Sequence, residues 1–166
     1  MPLPPLSHAE TGRPLAPVGV LVVDDQLAVR EGLARLISCA AIPLRCISTA
    51  ATGAEALRIA ALQRPEVVVL DVDLGGEDGL ALIPQLALTA GVLVLTSHGD
   101  PATRARAIRL GARAFVEKHQ PAAELLRSIV DVGHLQVRGE EAPDHRGTSS
   151  LPTVAASSAV LTRPLP

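Results

Sequence analysis

Five short apolar runs, separated by segments with helical periodicity, constrain this chain most. They read VGVLVVDD, LRCIST, VVVLDV, VLVLTS and AFVEK. The runs are near-continuous in Val and Leu rather than alternating with polar residues. Strands of a parallel sheet covered on both faces have this character, because neither face meets water. Aromatic residues are almost absent, with one Phe and no Tyr or Trp, so the core has to be built from Val, Leu, Ile and Ala. With 48% apolar residues in 166, that supply is enough for one α/β domain with tails.

Helical patterns fill the gaps. Val29, Leu33, Leu36 and Ile37 share a face, as do Ala56, Leu57, Ala60 and Ala61. Ala102, Ala105, Ile108 and Ala112 repeat the pattern, and Ala122, Leu125, Leu126 and Ile129 close it. Asp100-Pro101 predicts an N-cap before a first-turn proline, and Gly111 stands where that helix should stop. Pro121 opens the last helix, and Gly133 is its expected stop. The third helix, capped by Asp78, contains Pro84 and should be short or bent. Five strand–helix units make a doubly wound parallel sheet. Such sheets bind ligands beyond the carboxyl ends of their strands, where the strand order reverses.

The ends of the chain lack this order. Residues 1–16 read as a flexible Pro-rich lead, 17–133 as the domain, and 134–166 as a disordered tail or truncated linker. A net charge of −2 supplies no basic field, so direct DNA binding is not expected. The start has neither a basic region nor an apolar stretch of the secretory kind, and no apolar run reaches membrane-spanning length. A cytoplasmic protein without membrane contact is the expectation. Cys39 and Cys46 have no metal-ligand spacing and read as two small buried or half-buried residues rather than a disulfide.

The chemistry lies at the strand ends. The first run ends in Asp24-Asp25, the third in Asp71, the fourth in Thr96-Ser97 and the fifth in Lys118. A parallel sheet brings these ends to one rim. Three carboxylates there repel one another by roughly 1–4 kcal/mol per pair at 4 Å, depending on hydration. A hard divalent cation relieves that repulsion, and Mg²⁺ suits an all-oxygen site that keeps several waters. A carboxylate nucleophile beside Mg²⁺, an ammonium and a hydroxyl is what phosphoryl transfer to an aspartate requires.

The stretch from about Val18 to Gly133 resembles a response-regulator receiver of two-component signalling. The resemblance is carried by VLVVDDQLAVREGL, VVVLDVDLGGEDGL, VLVLTS and GARAFVEK. The segment REGLARLIS is most similar to receivers of the NarL/FixJ type, which normally precede a helix-turn-helix output domain; no such segment is read in this tail. The resemblance implies a flavodoxin-like sheet of strand order 2-1-3-4-5 with five helices. It implies Asp71 as phosphoacceptor, Asp25 as a direct Mg²⁺ ligand, Asp24 as a ligand through water, and the backbone carbonyl of Asp73 as a further ligand. Thr96 and Lys118 would contact the phosphoryl oxygens, and Thr96 with Phe115 would form a switch in which the ring moves from outward to inward. A sensor histidine kinase is the implied partner, with a homodimer or a separate output protein downstream; a turnover enzyme is not expected.

Two positions depart from the family pattern. The loop after the phosphoacceptor usually reads Pro-Gly-x-Asp-Gly, whereas here it is Gly75-Gly76-Glu77-Asp78-Gly79. The residue after the lysine is usually Pro and is His119 here, which predicts a different local backbone at Lys118. These departures keep open an interaction module that is never phosphorylated. Asp71-x-Asp73 also resembles the nucleophile motif of haloacid-dehalogenase-type phosphatases, but there the motif lies on the first strand and the other acids follow it. His98 and Asp73 border the expected site, and Arg104, Arg106, Arg109 and Arg113 read as a solvated helix face.

Overall fold

The computed structural model describes residues 16–140. Five parallel strands form one sheet: β1 Val18–Val23, β2 Leu44–Ala50, β3 Val67–Asp71, β4 Gly91–Thr96 and β5 Ala114–Glu117. Their spatial order is β2-β1-β3-β4-β5, the order expected from the sequence. The helices are α1 Leu27–Ser38, α2 Gly53–Gln63, α3 Ile83–Leu86, α4 Pro101–Leu110 and α5 Ala122–Glu140. The chain leaves β1 towards β2, then returns across it to β3. The reversal of strand order therefore falls between β1 and β3.

β1, β3 and β4 are buried along their whole length, which is why their sequences do not alternate. Successive residues feed opposite layers. Leu21, Val23, Val68, Leu70, Val92 and Val94 pack with α2, α3, α4 and Phe115. Val20, Val22, Val67, Val69, Leu93 and Leu95 pack with Ile37 of α1 and with Leu125, Ile129 and Val132 of α5. Each fully buried Val or Leu side chain contributes roughly 1.5–3 kcal/mol. Edge strand β2 is only partly covered, and its sequence LRCISTA is correspondingly mixed.

The local signals act where they were expected. Asp100 accepts from the amides of Ala102 and Thr103, and Gly111 ends α4 in the left-handed region at φ 110°. Asp78 caps a 3-10 turn, Gly79–Leu82, that leads into α3. With Pro84 at its start, α3 is a single turn. α2 is capped by Thr52 and closes on Arg64, a left-handed non-glycine at φ 46°.

Some expectations fail. Ala61 of α2 and Ala122 of α5 are exposed rather than on the inner faces of their helices. The buried residue of α4 is Ala107, flanked by half-buried Thr103 and Leu110; Ala102, Ala105 and Ile108 face outward, with Ile108 51% exposed. Nor does Gly133 stop α5, which runs through it to Glu140. Gly133 lies against Val18, where a Cβ would come within 2.8 Å of a valine methyl, so it serves close packing rather than termination. The boundary drawn at 133 thus falls inside a helix, and 134–140 continue it. The lead at 1–15 and the tail at 141–166 lie outside the described residues. Both cysteines are free thiols; Cys46 is half-buried as expected, but Cys39, just past the end of α1, is exposed. Among the described residues no helix is long and apolar enough to cross a membrane.

Candidate functional site

The rim is assembled by strand register. Asp24 follows β1 and extends its ladder, donating its amide to the Ala50 carbonyl at 3.1 Å. Asp71 is the last residue of β3, opposite Leu95 of β4. Lys118 follows β5 and donates its amide to the Thr96 carbonyl at 2.7 Å. These backbone bonds place the three side chains on adjacent strand ends. Asp24 and Asp71 are buried, at 1% and 6% exposure, while Asp25 is exposed.

The Lys118 ammonium bridges the two buried carboxylates, 2.7 Å from Asp24 Oδ2 and 2.7 Å from Asp71 Oδ2. Burial pushes the Asp71 carboxyl above the ordinary aspartate range; the Lys118 hydrogen bond and charge oppose this without cancelling it, and Asp24 adds to the rise. One cation shared with a second acid does not fully offset the burial of Asp71. Burial also works against the Lys118 charge, but the hydrogen bonds to Asp24 and Asp71 outweigh it and hold the ammonium above the ordinary lysine range.

Carboxylate oxygens of Asp24, Asp25 and Asp71 lie within 4.8 Å of one another. An all-oxygen set of three acids, one of them open to solvent, fits a hard divalent cation that retains waters. The Asp73 carboxylate is not part of this trio. It accepts from the Gly76 amide at 2.9 Å and closes a turn. That turn joins a two-stranded hairpin, Asp73–Leu74 with Glu77–Asp78. Its two loop residues, Gly75 at φ 67° and Gly76 at φ 95°, are both left-handed, the geometry of a tight hairpin loop. A proline at 75 cannot adopt it, so the first sequence departure marks a loop conformation closed to the usual residue.

Thr96 is buried, and its hydroxyl both donates to the His98 carbonyl and accepts from the His98 amide, each at 3.2 Å. Phe115 is also buried, at 7% exposure, with the Arg104 guanidinium 4.6 Å above its ring. The outward starting position expected for this ring is therefore not the one seen: Arg104 closes over a ring already turned in. At the second departure, no cis peptide bond occurs among the described residues, and Lys118 still reaches both acids. His119 itself turns outward to Glu117, at 3.3 Å.

Three contacts had no sequence signal. Arg30 of α1 donates through Nη1 to the carbonyls of Asp24, at 2.6 Å, and Asp25, at 3.2 Å. Glu77 reaches the Gly53 amide at the start of α2, at 3.2 Å. Arg106 of α4 pairs with Asp78. The last two tie the hairpin beyond Asp71 to a helix on either side.

Comparison with known proteins agrees with this geometry. Residues 20–130 match the family described as the response regulator receiver domain. The response regulator MprA of Mycobacterium sp. (strain KMS) is 39% identical over 113 residues, covering 66% of this chain and 48% of that protein. The probable transcriptional regulatory protein NarL of Mycobacterium tuberculosis (strain ATCC 25618 / H37Rv) is 31% identical over 117 residues, covering 69% of this chain and 54% of that protein. The chain thus spans about half the length of these relatives. Among solved structures, the signal receiver domain of the putative response regulator NarL from Mycobacterium tuberculosis superposes with a TM-score of 0.67 at 28% identity, covering 72% of this chain and 98% of that one. A response regulator from Burkholderia pseudomallei, solved with a phosphorylated aspartic acid, calcium ion and citrate, superposes with a TM-score of 0.61 at 28% identity, covering 75% of each. The family match takes in every strand end that carries the acidic trio, the lysine and the threonine, and it extends over more than half of the sequence: this chain belongs to the response regulator receiver domain family.

Proposed function

We propose that this receiver accepts a phosphoryl group from a sensor histidine kinase onto Asp71 in a Mg²⁺-dependent reaction, and signals by a conformational switch. One observation carries the reading: a buried carboxylate at the sheet's switch point is bridged by Lys118 and faces two further acids within 4.8 Å. The phosphorylated aspartate and calcium ion of the Burkholderia pseudomallei relative support it by analogy. So does the retention of the acidic pair, threonine and lysine together, which a receiver-like module without phosphorylation would not need. The phosphatase reading loses its support, because Asp71 ends the third strand and not the first.

Asp71 Oδ attacks the phosphorus of a phosphohistidine, the P–N bond breaks, the imidazole leaves, and an acyl phosphate forms. Lys118 favours the ionised form of Asp71 against its burial and then pairs with a phosphoryl oxygen. Asp25 and the Asp73 carbonyl would hold Mg²⁺ directly, and Asp24 through water. When bound, the ion would supply positive charge to offset that of the phosphoryl oxygens. Thr96 would exchange its His98 partners for a phosphoryl oxygen, which frees the loop before α4 and the Arg104–Phe115 stack behind it. A phosphoryl group shifts that balance only through the contacts it gains in one state. A cytoplasmic location and output through a homodimer or a separate protein, without direct DNA contact by the receiver, complete the reading.

Beryllofluoride with Mg²⁺, a phosphoryl mimic, tests it by NMR. Shifts at Asp71, Thr96 and His98 that spread to the Phe115 ring are expected. Shifts confined to the Asp71 loop, with Thr96→Ala leaving the distal surface unchanged, contradict the switch.

A further inference from the structure

The acidic pair is held unequally. The Asp24 carboxylate is fixed on both oxygens, accepting from Lys118 at 2.7 Å and from the Gln26 amide at 2.9 Å. The Asp25 carboxylate is exposed and accepts no hydrogen bond from the described residues. Its direction therefore depends on the backbone that carries it. That backbone has left the β1 ladder and is gripped from α1 by Arg30, half-buried, through the carbonyls of both Asp24 and Asp25. Arg30 makes no ion pair with either carboxylate among the described residues, so it occupies none of the oxygens a cation would use.

We propose that Arg30 is a positioning residue for the divalent cation: by clamping the two carbonyls it keeps Asp25 turned towards Asp71 against the mutual repulsion of three acids. The inference deepens the proposed function and rests on it. Arg30 has two opposed effects on a bound cation. Its charge, held on the backbone carbonyls of Asp24 and Asp25, repels the ion, whereas its hydrogen bonds pre-set the ligands. The clamp dominates, because a guanidinium half-exposed to water is screened and the ligand geometry is not.

The opposed signs make the test decisive. Calorimetric titration with MgCl₂ is compared for the wild type, Arg30→Met and Arg30→Lys, with thermal midpoints of the metal-free proteins measured in parallel. Arg30→Met is expected to weaken Mg²⁺ binding about tenfold, with its metal-free midpoint close to that of the wild type and faster exchange of the Gln26 amide. Arg30→Lys keeps the charge but reaches fewer carbonyls and is expected to lose affinity by a smaller factor; it carries the test alone should Arg30→Met not fold. Binding as tight as the wild type or tighter in Arg30→Met, the result of removing a cation alone, or wild-type affinity in Arg30→Lys, overturns the inference. No saturable Mg²⁺ binding by the wild type itself overturns both the inference and the proposed function.

Discussion

Restoring the residue the family usually carries at position 75 should damage this protein. Gly75 sits at φ 67° in a two-residue loop, with Gly76 at 95°, between paired residues Leu74 and Glu77. Proline fixes φ near −65°, so Gly75→Pro demands a rotation of about 130°. Leu74, buried at 4% exposure, would be pulled from the core, and the Glu77 and Asp78 contacts to α2 and α4 would shift. Forcing a backbone out of its well costs roughly 1–3 kcal/mol, and each exposed polar contact adds up to about 1 kcal/mol. The expected loss is about 2–4 kcal/mol. At roughly 3–5 °C per kcal/mol for a domain of this size, the melting midpoint should fall by about 10 °C. Gly75→Ala, which leaves φ free but disfavours the left-handed well, should lose only about 1 kcal/mol. Thermal unfolding followed by circular dichroism measures both. A midpoint for Gly75→Pro at or above that of the wild type refutes the reasoning, because it would mean the hairpin is readily exchanged for another turn.

Gly79→Ala would place a methyl against the backbone carbonyls of Asp71 and Val72, neither of which is a flexible side-chain end; a loss of about 2 kcal/mol or more in chemical denaturation is expected. Asp71→Asn should stabilise the metal-free protein at pH 7 by on the order of 1 kcal/mol, since it removes the cost of burying an ionised carboxylate and, secondarily, the repulsion by Asp24, while Lys118 keeps Asp24. The sign follows from burial: with the native Asp71 pKa raised above its unfolded value, the ionised acid costs stability above that native pKa, and the advantage of Asn should vanish as pH falls towards the ordinary aspartate range. In Mg²⁺ titration, Asp25→Ala should bind more weakly than Asp24→Ala, as loss of a direct ligand exceeds loss of a water-mediated one; equal affinities in both variants and the wild type contradict the metal site.

What the sequence made legible was local or periodic. Buried strands announce themselves as continuous Val and Leu, and Asp100 and Gly111 act on backbone within four residues of themselves. The rim was legible because strand ends converge whatever the rest of the packing does. The α4 face was misread because alanine fits either side of a helix; Thr103 and Leu110 mark the inner side only once the 3-10 turn Gly79–Leu82 and β5 are packed against it. Gly133 was misread because the reason for a glycine there, Val18, is more than a hundred residues away in sequence. Tertiary packing likewise hides Glu77 on α2, 24 residues from Gly53, and Arg106 on Asp78, 28 residues apart, and it sets Phe115 under Arg104. Arg30 lies in a quoted motif, yet nothing in its spacing says that it binds carbonyls rather than solvent.

The central claim is that Asp71 takes the phosphoryl group. Intact-mass measurement after incubation with acetyl phosphate and Mg²⁺ tests it most directly. The wild type should gain the mass of one phosphoryl group, released by mild base as an acyl phosphate is, and dependent on Mg²⁺. Asp71→Asn should gain none. Labelling of Asp71→Asn to the wild-type level, or a wild type that stays unlabelled while it binds Mg²⁺, contradicts the account.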